Sequence, residues 1–134
     1  MCIRDRSKTQ SDVFAKRRFD GLSGGEQARV LLARALAVDA PVLLADEPIA
    51  ALDPFYQLSM MEILRAEATS GKVVITALHD LPLATQFASR IWVMHEGKIV
   101  ADDTPQKALN DETLKTVFGI RAPQGGFQPI ELSG

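Results

Sequence analysis

Two adjacent carboxylates, Asp46 and Glu47, follow a short apolar run in the stretch VLLADE. The run begins after Pro41 and is too short for a helix, which predicts a buried strand over 41–48 with both acids near its carboxyl end. Open α/β sheets bind ligands at that end, and neighbouring carboxylates there are costly to ionise without compensation. One acid suits Mg²⁺ held through water, and the other suits accepting a proton from an attacking water. The alternative is that both acids only cap the next element.

A serine and two glycines form the second candidate site, in the stretch LSGGE (Leu22–Glu26). An alanine-rich apolar stretch follows, which predicts a helix over about 24–38 with Ser23 positioned to cap it. One interpretation is that the glycines make a turn and the serine makes a cap. The other is that the start of the helix is a binding surface, and the stretch alone leaves both open.

The elements that must position these residues alternate along the chain. We predict strands over 41–48 and 72–80, helices over 53–71 and 81–89, and a hairpin over 90–102 around Glu96-Gly97. Asp53 can cap the helix over 53–71, and Thr104 and Asp111 can cap two short helices that follow the hairpin. This alternation is typical of parallel βαβ units under helical cover.

The strands predicted after the first helix make only half a sheet, so we expect the chain to be incomplete at its amino-terminal end. Residues 1–15 are expected to be a foreign or disordered leader. The region 16–120 is expected to be the folded part, and the tail 121–134 to be mostly irregular.

The composition excludes several classes of protein. A single cysteine, Cys2, excludes a disulfide framework and a multi-cysteine zinc site, and it suits a reducing cytosol. The sequence has no apolar run near the roughly 20 residues that a membrane-spanning helix needs. Its basic residues are not interleaved with stacking aromatics, so we expect no nucleic-acid partner. Hydrophobic residues make up 46% of the chain, which permits a packed core.

Four motifs in this order resemble those of the ATP-binding cassette (ABC) ATPase family. LSGGE is similar to the family signature, VLLADE to the Walker B strand, AALD (Ala50–Asp53) to the D-loop, and TALHD to the switch segment with its histidine, His79. The resemblance covers roughly residues 20–120. It implies an α/β fold: the C-terminal part of a P-loop NTPase cassette, with a parallel sheet core, flanking helices and a C-terminal β-hairpin.

The resemblance also implies roles for the strand-end residues. Asp46 would hold Mg²⁺ through water, Glu47 would polarise the attacking water, and His79 would contact the γ-phosphate of ATP and position that water with Glu47. Catalysis would consist mainly of positioning and charge stabilisation during phosphoryl transfer.

For the signature, the resemblance implies a site shared between two cassettes in a head-to-tail dimer. The residues involved would contact ATP bound by the second cassette, and they are Ser23, Gly24, Gly25 and Glu26. A helix N-terminus offers free N–H groups and the positive end of a dipole, and glycines let the backbone approach a phosphate closely. Asp53 would make a dimer contact that links the two sites.

The chain departs from the family pattern in three places. Glu26 stands where the family more often has Gln, and Ala50 lacks the hydroxyl of the usual PTSALD, which implies weaker coupling between the sites. No GxxxxGK[ST] motif occurs, so the P-loop, its lysine, the adenine-stacking aromatic and the Q-loop are expected upstream. We therefore expect the chain alone not to hydrolyse ATP.

The C-terminal region favours one class of ABC protein. HEGKIV followed by a helix that begins with Thr-Pro resembles prokaryotic importer subunits, and TLKTVFGI resembles subunits for iron–siderophore, haem or cobalamin uptake. The resemblance implies a peripheral subunit on the cytoplasmic face of the inner membrane, bound to transmembrane permease subunits and acting indirectly with a solute-binding protein.

Three alternatives stay open at this point. The first is an importer ATPase for an amino acid, a sugar or a phosphonate. The second is a soluble non-transport ABC ATPase, which the lack of a coiled-coil heptad run disfavours. The third is a regulatory module without turnover, which the intact Asp-Glu pair disfavours.

Overall fold

A computed structural model describes residues 7–122 and 128–129 of the chain. The chain divides into two compact units, residues 1–83 and residues 84–134. The first six residues of the expected leader and most of the expected tail lie outside the described residues.

The first long element is helix α1, Gly24–Ala37, as the sequence predicts. Its inner face buries Leu32, Ala33 and Leu36, which recur at helical spacing. The helix ends before Asp39, whose φ of +54° cannot continue it.

A parallel pair of strands follows. Strand β1, Val42–Asp46, pairs with strand β2, Val73–Ala77, with Val42 opposite Val73 and Asp46 opposite Ala77. Helix α2, Pro54–Thr69, connects them. This is the predicted βαβ unit, and it brings the carboxyl ends of both strands to one edge.

Helix α2 begins as the sequence predicts. The Asp53 carboxylate accepts a hydrogen bond from the Tyr56 N–H at 3.1 Å, and Pro54 occupies the first helical position, where a missing N–H costs nothing. Met60, Met61 and Leu64 are buried and form much of the core of this unit.

The prediction that both strands are buried is wrong. Val42, Leu44, Val73 and Ile75 share one face of the pair, and each is between 39% and 72% exposed. The side chains between them are half-buried, so in the described residues only one face of the pair is covered. Burial of a parallel sheet requires cover on both faces, which two strands and the described helices do not supply.

The described part of the expected leader packs in the first unit. Residues Asp12–Phe14 form a 3₁₀ helix, and Thr9, Ser11 and Phe14 are buried. Lys8 pairs with the buried Glu67 on α2 at 2.7 Å. Residues 7–15 therefore differ from the disordered leader that the sequence suggests, while the foreign origin and the boundary at residue 15 stay predictions.

The second unit contains the predicted hairpin. Strands β3, Ile91–His95, and β4, Lys98–Asp103, are antiparallel. Glu96 and Gly97 connect them with φ of +48° and +75°, the backbone of a two-residue hairpin turn. The sequence suggests that Trp92 and Met94 are core residues, but they are 51% and 65% exposed. The strand alternation turns them to the opposite face from the buried Val93.

Short elements complete the described chain. Helix α3, Leu81–Phe87, precedes the hairpin, and α4, Pro105–Ala108, follows it. Helix α5, Asp111–Thr113, continues into a π-helical turn, Leu114–Phe118, and then β5, Ile120–Arg121, pairs with β6, Gln128–Pro129.

Of the two caps predicted after the hairpin, Thr104 occupies the cap position of α4, whereas the prediction for Asp111 is wrong. Asn110, not Asp111, caps α5, because its side chain accepts a hydrogen bond from the Thr113 N–H at 2.9 Å. The side chain of Thr104 makes no capping hydrogen bond to α4.

Candidate functional site

Parallel pairing brings Glu47 and His79 together at one edge of the sheet. The Glu47 N–H donates to the Ala77 carbonyl at 3.1 Å, so the ladder continues one residue beyond β1. His79 lies two residues beyond the end of β2, and its Nε2 is 2.6 Å from Glu47 Oε1. With Asp46, these two residues form what we call the strand-end cluster.

Glu47 has an unusual backbone. Its φ is +44°, in the left-handed region that costs a residue with a side chain about 1–2 kcal/mol. Strain of this kind concentrates at functional sites, where the surrounding structure holds it. Here the conformation ends β1 and places the carboxylate beside His79.

Asp46, the predicted magnesium ligand, is exposed at the end of β1. Within residues 7–122, no hydrogen bond or ion pair engages its carboxylate. A free carboxylate fits Mg²⁺, which keeps several waters and takes one or two carboxylates with phosphate oxygens. The described residues hold no group of three or more potential ligand side chains.

The signature residues form a reciprocal cap at the start of α1. Ser23 Oγ accepts a hydrogen bond from the Glu26 N–H at 3.3 Å, and Glu26 Oε2 accepts one from the Ser23 N–H at 2.8 Å. This is a capping box. The N–H groups of Gly24 and Gly25 have no acceptor in the described chain, as the first turn of a helix requires, so they remain available to an anion.

Glu26 is held as a charged group. The hydrogen bond from the Ser23 backbone lowers the pKa of Glu26, and the charges of Arg17 and Arg29 lower it further, against partial desolvation. Arg17 lies 3.3 Å from the carboxylate. The signature therefore carries a negative charge near the helix start, where the family more often has a neutral glutamine.

The two glycines of the signature pack against the D-loop segment of the same chain. A Cβ on Gly25 would lie 3.1 Å from the Ala51 carbonyl and 3.3 Å from Leu52 Cδ2, and one on Gly24 would lie 3.4 Å from Ala51 Cβ. Leu52 is buried. Close approach to a phosphate is the reason that the resemblance gives for these glycines, and the structure adds a packing reason.

These segments enclose an open depression of about 370 Å³. We call it the signature groove, and it is lined by Ser23, Gly24, Gly25, Glu26, Arg29, Ala51, Leu52, Asp53 and Tyr56. Asp53 lies in it as the cap of α2, and its predicted dimer contact stays a prediction. In the part of the chain that the structure describes, no hydrogen bond or ion pair links the groove to the strand-end cluster.

Sequence reasoning missed two residues of the groove. The Arg29 guanidinium lies 4.0 Å from the centroid of the Tyr56 ring and 4.9 Å from that of Phe14. Both distances are within the range of a cation–π contact. The available signal was spacing, because Arg29 lies six residues after Ser23 and Tyr56 three after Asp53.

Among the described residues, no helix combines the length and the apolar character that crossing a bilayer requires.

Comparison with known proteins identifies relatives of this architecture. The family profile described as "ABC transporter" matches residues 3–50. A hemin import ATP-binding protein of Rhodococcus jostii is 46% identical over 107 residues, which is 80% of this chain and 37% of the relative. A cobalamin import ATP-binding protein of Halobacterium salinarum is 41% identical over 124 residues, or 90% of this chain and 31% of the relative. The chain thus spans less than half the length of these curated relatives.

Solved structures of ATP-binding cassettes are also similar to this chain. The dimeric ATP-binding cassette MJ0796 in a post-hydrolysis state, bound to ADP and Pi, superposes with a TM-score of 0.67 at 31% identity, covering 79% of this chain and 50% of that one. An ABC transporter in an inward-facing conformation superposes with a TM-score of 0.78 over 93% of this chain and 52% of that one. Its identity is 23%, so it bears on the fold alone. Motifs, topology and relatives agree that the chain resembles part of the ATPase domain of ABC transporters.

Proposed function

We propose that this chain is the C-terminal part of a cassette that hydrolyses P–O bonds of ATP and drives an importer of haem, cobalamin or an iron chelate. The observation that carries the ATPase proposal is the 2.6 Å approach of His79 Nε2 to Glu47 Oε1 at the carboxyl ends of two parallel strands. That edge is where open α/β sheets bind ligands.

In this proposal, Glu47 is the group that polarises water. His79 Nε2 lies 2.6 Å from Oε1, and Oε2 would accept a proton from a water molecule. The left-handed backbone at Glu47 fixes the carboxylate in place before any ligand arrives. Asp46, one residue earlier, would hold Mg²⁺ through water, and bound Mg²⁺ would neutralise charge on the phosphate oxygens.

The signature groove would act on a nucleotide bound by a second copy. The free N–H groups of Gly24 and Gly25 and the hydroxyl of Ser23 are suited to a terminal phosphate, because they lie at the positive end of α1. Asp53 lines the same groove and would lie at the interface of the head-to-tail pair. Two copies would then form two composite sites.

Two observations support the assignment to part of a cassette. One face of the β1–β2 pair exposes four aliphatic side chains, and such a face is normally covered in α/β proteins. The chain also spans 37% and 31% of the two relatives compared above. We place the cassette portion at 16–120 and the tail at 121–134, with the P-loop on the preceding part of the protein.

The solute class rests on the relatives, whose names describe hemin and cobalamin import. By this proposal the cassette binds ATP with Mg²⁺, works as a pair, and associates with permease subunits at the cytoplasmic face of the membrane. A solute-binding protein would act on it indirectly, through the permease.

The test uses the complete cassette and the 134-residue chain side by side. We expect Mg²⁺-dependent phosphate release from the complete cassette and none from the chain alone. Reconstitution with the neighbouring permease should make that activity respond to a solute-binding protein loaded with haem, cobalamin or ferric chelate. Stimulation by an amino acid or a sugar instead would refute the solute, and a complete cassette without phosphate release would refute the ATPase.

A further inference from the structure

The signature helix and the D-loop helix are joined by a stack of side chains. The guanidinium of Arg29, on α1, lies 4.0 Å from the Tyr56 ring, in the first turn of α2. The Phe14 ring lies 4.9 Å from the same guanidinium. The N–H of Tyr56 is itself bonded to Asp53, so the stack connects the residue that ends the D-loop with the helix that the signature opens.

Little else in the described chain holds this guanidinium. Arg29 Nε is buried with no hydrogen-bond partner, and its Nη1 donates to the Gln10 carbonyl at a long 3.4 Å. The ring contacts are therefore the main constraint on this side chain. Because a cation is attracted to ring faces and the site is partly shielded from water, the stack resists sliding of α1 along α2.

The position of α1 relative to the D-loop matters at the groove. The Gly25 backbone already lies against the Ala51 carbonyl, with no room for a Cβ at ordinary distance. A small slide of the helix would either close this contact or open it, and it would move the two free glycine N–H groups by the same amount. The stack lies one to two turns further along α1, where it controls that slide.

We propose that Arg29 and Tyr56 are positioning residues for the composite phosphate site, which set the distance between the signature glycines and the D-loop of the same chain. This inference rests on the proposed function. In this proposal neither side chain contacts the phosphate, because the guanidinium packs on two rings and its Nε is buried. Loss of the stack therefore affects the alignment of the glycine N–H groups more than the capture of nucleotide.

The experiment compares variants of the complete cassette. Arg29→Met and Tyr56→Leu each remove the stack, while Arg29→Lys restores a cation and Tyr56→Phe keeps a ring. Arg34→Met is the matched control, because Arg34 is exposed on the same helix and no described aromatic ring stacks on it. Each variant is measured for kcat, for KM with ATP, and for hydrogen exchange at the amides of residues 23–26 without nucleotide.

We expect Arg29→Met and Tyr56→Leu to lower kcat by roughly 10- to 100-fold, the range that a misplacement of about 1 Å produces, with little change in KM. The double variant should be no worse than the worse single variant, because both remove one interaction. Exchange at Gly24 and Gly25 should change in both single variants. Arg29→Lys and Tyr56→Phe should recover most of kcat, and Arg34→Met should match the parent.

Two results would overturn the inference. A parental kcat in folded Arg29→Met and Tyr56→Leu would make the stack only a stabilising contact, and a raised KM with parental kcat would make Arg29 a direct nucleotide ligand. If the parent cassette shows no turnover, the proposed function fails, but the exchange data still decide whether the stack positions the signature. If Arg29→Met does not fold, the Tyr56→Leu and Tyr56→Phe pair carries the test.

Discussion

The strand-end cluster and the signature groove are built in opposite ways. At the strand ends, His79 is 87% exposed and Glu47 is 44% exposed at the side chain, and a single contact between Nε2 and Oε1 joins them. In the groove, a capping box fixes the start of α1, the buried Leu52 supports the glycines, and two rings hold Arg29. One region is open with free functional groups, and the other is packed.

This difference follows from what each region is proposed to do. A packed groove presents N–H groups in a fixed arrangement, which is how proteins stabilise phosphate charge without reorganisation during the reaction. An exposed carboxylate with one open oxygen requires further groups around it before it can act as a base. Substitutions in the open region should therefore change chemistry with little effect on stability, and substitutions in packed regions should change stability as well.

Glu47→Gln, in the strand-end cluster, has the largest expected effect, which is on ATP hydrolysis. In the complete cassette we expect ATP hydrolysis to fall by at least about 100-fold, the usual contribution of a general base, because the amide keeps the shape but cannot accept the proton. The unfolding free energy of the 134-residue chain should stay close to that of the parent, since the carboxylate is exposed. Phosphate release and chemical denaturation measure the two quantities.

The control for that variant is Glu96→Gln, an exposed acid in the hairpin turn, which should leave both quantities at the parental level. Nucleotide binding should persist in Glu47→Gln. Hydrolysis at the parental rate would show that Glu47 is not the base, and a large loss of stability would contradict the description of the cluster as open.

The same chemical change at a buried carboxylate should give the opposite result. Glu67 is 5% exposed and pairs with Lys8 at 2.7 Å and with Lys72 at 2.8 Å. We expect Glu67→Gln to lower the unfolding free energy by about 2 kcal/mol, within the range for hydrogen bonds to charged groups. The turnover of the folded complete cassette should be unchanged.

Stability should also depend on pH through Glu67. Hydrogen bonds from Lys72 and Lys8 lower the pKa of Glu67 in the folded chain. The contribution of Glu67 to the unfolding free energy is therefore complete above the unfolded pKa of about 4.3. It is lost as the pH falls through the lower pKa that Glu67 has in the folded chain. Denaturation curves between pH 3 and pH 7 for the parent, for Glu67→Gln and for the exposed Glu62→Gln would measure it. The same dependence of the unfolding free energy on pH in all three chains would contradict the prediction.

The sequence predicts the helices and strands better than it predicts which of their faces are buried. Periodicity and cap residues give α1, α2, both parallel strands and the hairpin, because these depend on neighbouring residues. The burial of β1 and β2 depends on what covers the sheet, which an apolar run such as VLLA cannot report. The same limit explains why the prediction of Trp92 as a core residue is wrong. Trp92 is apolar and lies in a strand, but its side chain faces away from the buried side.

For the site, the motifs indicate which residues matter but not how they are held. Spacing places Glu47 and His79 at neighbouring strand ends, and in the structure His79 Nε2 lies 2.6 Å from Glu47 Oε1. The left-handed backbone of Glu47 has no signal in its residue type, since that conformation is usual for Gly or Asn. The stack on Arg29 depends on Phe14 and Tyr56, two rings 42 residues apart in sequence, a contact that no local pattern specifies.

Gly25→Ala tests the packing of the signature groove, and its expected effect on the unfolding free energy is smaller than that of Glu67→Gln. Alanine favours a helix over glycine, but its Cβ would lie 3.1 Å from the Ala51 carbonyl, against the buried Leu52. We expect overpacking to exceed the helix gain and to lower the unfolding free energy by about 1 kcal/mol. Gly21→Ala is the control, because nothing lies within 4 Å of a Cβ there. A Gly25→Ala chain as stable as the control would show that the D-loop segment moves aside, and that the groove is softer than its geometry indicates.

Glu26→Gln should give the smallest effect, because glutamine preserves the packed arrangement. A capping box accepts Gln in place of Glu, so the cap on Ser23 should survive while the charge near the free glycine N–H groups disappears. We expect the concentration of ATP for half-maximal turnover of the complete cassette to fall by about 2- to 5-fold at low salt, the usual size of a single-charge effect at a helix terminus. At 0.5 M salt the difference should shrink, since the start of α1 borders solvent and screening there is strong. Asp20→Asn, which removes an exposed charge outside the helix, should change little. A rise in the half-maximal ATP concentration for Glu26→Gln would mean that its charge supports the site through Arg17 rather than opposing the phosphate.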